Sequence, residues 1–84
     1  MQDVLTADQE EALTEIFRDI LGVPDLILRD EMTAADVSTW DSFNHINIVL
    51  AVEENFGLRF STKEIAALAN IGEFKTLIAT KLKM

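Results

Sequence analysis

Between Gly22 and Asp41 the chain runs without any sustained apolar period, while clear helical patterns lie on both sides. This segment constrains the fold more than any other feature. Two helices joined by so long a connection do not form a tight hairpin. The connection has to cross the molecule and be held down by its own apolar residues. It contains Pro24, scattered acids, and Leu26, Leu28 and Val37, which are expected to pin it to a core. It also has room for a short helical turn near Thr33 to Asp36. Its acids Asp25, Asp30, Glu31 and Asp36 do not follow the spacing of a calcium-binding loop, so no specific metal site is expected there.

Helix signals bracket the connection. Thr6 is an N-cap with Gln9 three residues on, a capping box, and Leu13, Ile16, Phe17, Ile20 and Leu21 follow at helical spacing. Gly22 suits the end of that helix, and Pro24 forbids its continuation. A second helix is expected over Ser42 to Phe56, with Asp41 as N-cap and Gly57 as C-cap. Its expected buried set is Phe43, Ile46, Val49, Leu50, Val52 and Phe56, with Ile48 on a flank. Ser61 and Glu64 form a second capping box, opening a short third helix of about two turns through Ala69. Asn70 with Glu73 opens the fourth, whose buried stripe is Ile71, Phe74, Leu77, Ile78 and Leu82. No segment alternates as a strand. The pattern therefore predicts one all-α domain over residues 1–84: a small four-helix bundle with a long loop between helices 1 and 2 and a short third helix.

Composition narrows the function. The net charge is −8, with the acids concentrated before Ser42 and the lysines after Ser61. Such a chain repels nucleic acid and anionic membranes and attracts proteins with basic patches. No apolar run is long enough to span a bilayer, and the first residues lack a secretory pattern, so a cytoplasmic monomer is expected. There are no cysteines. Any thioester carried by this chain must use a sulfur brought in by a prosthetic group.

The four residues Trp40-Asp41-Ser42-Phe43 stand at the head of the second helix. The first-turn amides of a helix lack intrahelical partners, and the helix dipole favours negative charge beside them. Ser42 is thus well placed to carry a phosphate-linked group, although serine is also an ordinary residue at helix starts. Asp41 is most simply the N-cap. Asp41, Ser42 and His45 invite a hydrolase reading, because residues three apart share a helix face. The strained elbow and glycine-rich oxyanion loop of such enzymes are missing, which speaks against catalysis. His45 reads as a surface residue beside Ser42, and Trp40 as either a packing residue for the loop or a shield and contact near Ser42.

The stretch from Asp41-Ser42-Phe43 to Glu53-Glu54-Asn55-Phe56-Gly57 resembles the second helix of acyl carrier proteins. Ser61-Thr62-Lys63-Glu64-Ile65 looks like the start of that family's third helix, and Asn70-Ile71-Gly72-Glu73-Phe74 like the start of its last. The resemblance covers nearly the whole chain. It implies that a phosphopantetheinyl transferase attaches 4′-phosphopantetheine from coenzyme A to Ser42, with Asp41 helping to place the serine. It implies a non-catalytic carrier that holds acyl groups as thioesters on the arm and presents them to acyl-loading and acyl-processing enzymes. Phe43, Asn44, Asn47, Glu53 and Glu54 are the candidate docking residues. Asn44 and Asn47 stand where fatty-acid carriers commonly have acids. Together with Trp40 they make the chain more similar to carriers of specialised or cell-surface pathways. Two other readings remain: an aminoacyl or peptidyl carrier with the same attachment chemistry, and an unmodified acidic adaptor that kept only the fold.

Overall fold

The computed structural model describes residues 4–83. Four α-helices form among them: α1 (Ala7–Leu21), α2 (Ser42–Phe56), α3 (Thr62–Ala66) and α4 (Ile71–Leu82), with a 3-10 turn at Ala34–Asp36 inside the long connection. No strand occurs among the described residues, and no helix is long and apolar enough to cross a membrane.

The capping signals set the helix ends. Thr6 and Gln9 close a reciprocal capping box at α1, and Ser61 and Glu64 do the same at α3. Gly22 and Gly57 end α1 and α2 in the left-handed conformation, with φ of 72° and 68°, where a side chain would be strained. α3 stops after Ala66, about one turn rather than two, because the apolar residues beyond it leave the helical path to lead into α4.

The core gathers Leu13, Ile16, Phe17 and Leu21 from α1, Ile48 and Val52 from α2, and Ile71, Phe74 and Ile78 from α4. Phe17 is fully buried. It meets Trp40 edge to face at 5.3 Å and Phe74 at 6.3 Å. Such aromatic pairs add about 0.5–1.5 kcal/mol to the burial itself. The connection is pinned as expected, with Val37 buried and Leu26 and Leu28 packed on the core. Met32, unremarkable in the sequence, is also buried, with 4% exposure.

The buried face of α2 differs from the sequence expectation. Ile48, placed on a flank, is fully buried beside Val52, whereas Phe43, Ile46 and Leu50 are 73%, 59% and 56% exposed. The helix is apolar around most of its circumference, so two stripes compete. Packing on α1 selects the stripe through 48 and 52, four residues apart, and leaves 43, 46 and 50 in solvent.

The long connection also closes the start of α4. The Met32 carbonyl accepts from the Ile71 N–H at 2.9 Å, the Asp30 carbonyl from the Gly72 N–H at 2.8 Å, and Asn70 Oδ1 from the Glu73 N–H at 2.9 Å. The first three amides of α4 are thereby all paired. Lys75 adds ion pairs to Glu10 at 2.8 Å and Asp30 at 3.4 Å, tying α1, the connection and α4 together. A Cβ at Gly72 would lie 3.0 Å from Asp30 Cβ and 3.2 Å from its carbonyl oxygen. Helix propensity favours alanine there by about 1 kcal/mol, but overpacking costs about 1–3 kcal/mol. The obstruction is backbone already bonded to residue 72, so the clash wins. Gly72→Ala is expected to lower stability by about 1 kcal/mol in urea titration. A gain in stability would show that the 30–32 segment yields freely.

Candidate functional site

α2 begins where the long connection ends. Trp40 is held against Phe17 and is only 8% exposed. Thr39 Oγ1 donates to the Leu21 carbonyl at 2.7 Å, and Asn44 Nδ2 donates to the Thr39 carbonyl at 2.7 Å. The start of α2 is therefore fixed to the end of α1. Asp41 is extended, and its Oδ1 accepts from the Asn44 N–H at 2.8 Å, an N-cap that contributes about 1 kcal/mol. The Asp41 carbonyl takes the His45 N–H at 2.8 Å.

Ser42 is the first residue of the helix and is exposed. No described residue hydrogen-bonds its hydroxyl. The cap leaves the N–H groups of Ser42 and Phe43 without a helical acceptor. α1, α3 and α4 each carry an acid inside the first turn, Asp8 and Glu10, Glu64 and Glu73 respectively, whereas α2 carries none. Its positive end is offset only by the cap, so an added anion meets open donors there.

His45 departs from expectation. It is half-buried rather than a surface residue, and its Nδ1 accepts from Trp40 Nε1 at 3.2 Å with the rings nearly parallel. Burial holds its pKa below the ordinary 6.5. Trp40 takes its packing role and is also the donor that orients this imidazole.

The proposed docking residues divide. Phe43 and Glu54 are exposed. Asn44 is tied to Thr39, and Asn47 Nδ2 donates to Asn44 Oδ1 at 3.4 Å. Glu53 Oε2 accepts from the Phe60 N–H at 2.8 Å, anchoring the turn between α2 and α3. Ile46 and Leu50, assigned to the core from the sequence, lie instead on the outer face with Phe43. The signal that could have found them is the excess of apolar positions on α2 over what one face can bury. No group of three or more metal-binding side chains occurs among the described residues.

The model of the family described as the phosphopantetheine attachment site matches residues 11–78. The chain belongs to this family. It is 31% identical over 78 residues to an acyl carrier protein of Acidothermus cellulolyticus, covering 89% of this chain and 93% of the relative. Its fold is similar to the solution NMR structure of the holo acyl carrier protein of Geobacter metallireducens. The TM-score is 0.82 at 32% identity, and the match covers 88% of this chain and 85% of that one. The protein is thus an acyl carrier whose prosthetic group is 4′-phosphopantetheine. The residues at the start of α2 fit such a group: an exposed, unbonded hydroxyl sits beside two open amides, with no acid in the first turn.

The carrier's stability should respond to pH through His45. A base whose folded pKa lies below its unfolded value binds fewer protons when folded, so stability rises with pH across that interval. The contribution is complete above 6.5 and is lost as pH falls toward the folded value. Glu64, whose carboxyl the Ser61 N–H holds below the ordinary 4.5, loses its contribution only in more acid solution. Urea titrations from neutral pH down to about 5.5 should show a slope that His45→Gln abolishes. An unchanged slope in that variant would show that His45 titrates alike in folded and unfolded chains.

Proposed function

We propose that Ser42 is the attachment residue and that residues 1–84 act as one non-catalytic carrier domain. The observation that carries this reading is the exposed, unbonded Ser42 hydroxyl at the first position of α2, within the stretch matched by the attachment-site model. Asp41 serves the site by fixing the helix start. It turns its carboxylate into the cap and so directs it to the Asn44 amide. The group itself supplies a thiol on a long arm, which holds acyl chains as thioesters. The chain has no thiol of its own.

The hydrolase reading finds little support. His45 Nδ1 is engaged by Trp40, and no described residue hydrogen-bonds the Ser42 hydroxyl. A nucleophile needs a base in contact and an oxyanion site. We read His45 and Trp40 as part of the arm's surroundings.

The partners in this reading are a phosphopantetheinyl transferase and the enzymes that load and process the acyl group. They meet the outer face of α2: Phe43, Ile46 and Leu50, bordered by Asn44, Asn47 and Glu53 and ending at Glu54. The exposed apolar stripe supports this assignment, because a contiguous apolar patch on a small domain marks an interaction surface.

Two experiments test the reading. Intact-mass measurement after incubation with a transferase and coenzyme A should show one phosphopantetheine added to the wild type and none to Ser42→Ala. Equal addition to both, or none to either with several transferases, would overturn the assignment. Phe43→Ala and Leu50→Ala should change stability by no more than about 0.5 kcal/mol, as surface substitutions do. The same variants should raise the transferase KM for the carrier. Unchanged kinetics would remove the apolar stripe from the docking surface.

A further inference from the structure

Three apolar depressions converge on one side chain. A depression of about 360 Å³ lies between the 3-10 turn, Trp40 and the start of α4. A second, of about 390 Å³, is the groove between α2 and α3. A third surrounds Ser42. His45 lines all three, so the imidazole stands between the surroundings of Ser42 and the two deeper depressions.

The hydrogen bonding of the ring is determined by its neighbour. An indole N–H only donates, so Nδ1, which faces it at 3.2 Å, must be unprotonated in the neutral ring. The proton then resides on Nε2, and no described residue accepts from it. The Trp40 ring lies 6.1 Å from the imidazole at an interplanar angle of 23°. Trp40 is itself held by Phe17, so the imidazole leans on a fixed wall.

Ser42 and His45 are three residues apart on α2, and side chains so spaced lie about 5–6 Å apart on one face. A phosphodiester on Ser42 Oγ would have its oxygens within reach of that interval. The open amides of Ser42 and Phe43 would meet the group from the helix side, and His45 stands on the side of the depressions. Asp41 and Glu53 are the charged residues lining these depressions among the described residues. Both carboxylates are occupied, by the Asn44 and Phe60 amides, so neither competes for the imidazole N–H.

We propose that His45 holds the arm at its root: its Nε2–H donates to a phosphate oxygen of the phosphopantetheine on Ser42, in the tautomer that Trp40 fixes. The proposal rests on Ser42 being the attachment residue. His45 is a positioning residue here, setting the direction in which the arm leaves the helix. Protonation would place two donors, Nδ1–H and the indole N–H, against each other and free the ring from Trp40. The neutral ring is therefore the form that grips both wall and phosphate, and burial favours it.

The test uses the purified carrier with and without its arm. A phosphodiester does not ionise between pH 5 and 8, so its phosphorus resonance should be flat unless a neighbour titrates. In the loaded wild type the resonance is expected to shift with pH at the midpoint of the His45 ring signals. His45→Gln should remove that shift while keeping the amide spectrum of the fold. The ring's own pKa should rise by about one pH unit on loading, since a nearby anion favours the imidazolium. Trp40→Phe, which keeps an aromatic ring against Phe17, should reduce the Nε2–H tautomer seen in ring nitrogen shifts. A flat phosphorus resonance in the loaded wild type, or a shift that persists in His45→Gln, would overturn the proposal. Absence of any diester signal after transferase treatment, with no gain in mass, would instead overturn Ser42 as the attachment residue.

Discussion

The edge-to-face contact between Trp40 and Phe17 sets the position of everything that matters in this molecule. Phe17 belongs to the first helix and Trp40 to the last position before the second. Between them lies a connection with no regular structure beyond one short turn. A chain segment of that length has ample freedom to place its far end elsewhere, and the entropy of fixing it has to be met by burial. The indole supplies that burial together with Leu26, Leu28, Met32 and Val37, and Thr39 and Asn44 lock the backbone on either side of it. The Ser42 hydroxyl, two residues beyond Trp40, thereby inherits a fixed position without being packed itself.

Two helix starts in this small bundle show opposite solutions to the same electrostatic problem. The amides at the head of α4 are consumed by carbonyls of the long connection, and Glu73 sits in the first turn. The head of α2 is left open, with its acid outside the helix and turned inward as a cap. A closed start stabilises the fold locally. An open one keeps donors available for a negatively charged group that the chain does not itself provide. The loop carbonyls go to α4, and the head of α2 is left with open amides.

Much of this could be read in the residues. Caps were legible because they are local: Thr6 with Gln9, Ser61 with Glu64, and the glycines at 22 and 57 act over three or four positions. The place of Ser42 at the head of α2 was legible for the same reason, and the family match extends across it. What escaped was set by partners distant in sequence. The choice between the stripe through Ile48 and the stripe through Ile46 depends on which face α1 meets, and a helix apolar nearly all round gives no preference. Met32 is buried where its carbonyl accepts from the Ile71 amide, a partner 39 positions on in the sequence. His45 looked like a surface residue because its partner, Trp40, could be known to face it only once Phe17 had fixed the indole.

α3 is a single short helix with no buried residue of its own. It is held by its capping box, by the Glu64–Lys81 ion pair at 3.0 Å and by the nearby Glu53 bond to Phe60. Few buried apolar contacts are the mark of segments that open locally at low free energy. The groove between α2 and α3 is therefore walled on one side by a segment held by surface contacts and on the other by a helix rooted in the core. The molecule combines a firmly tied start of α2 with a lightly held wall beside it. Of the four helices described, the one beside that groove is the one that sends no side chain fully into the core.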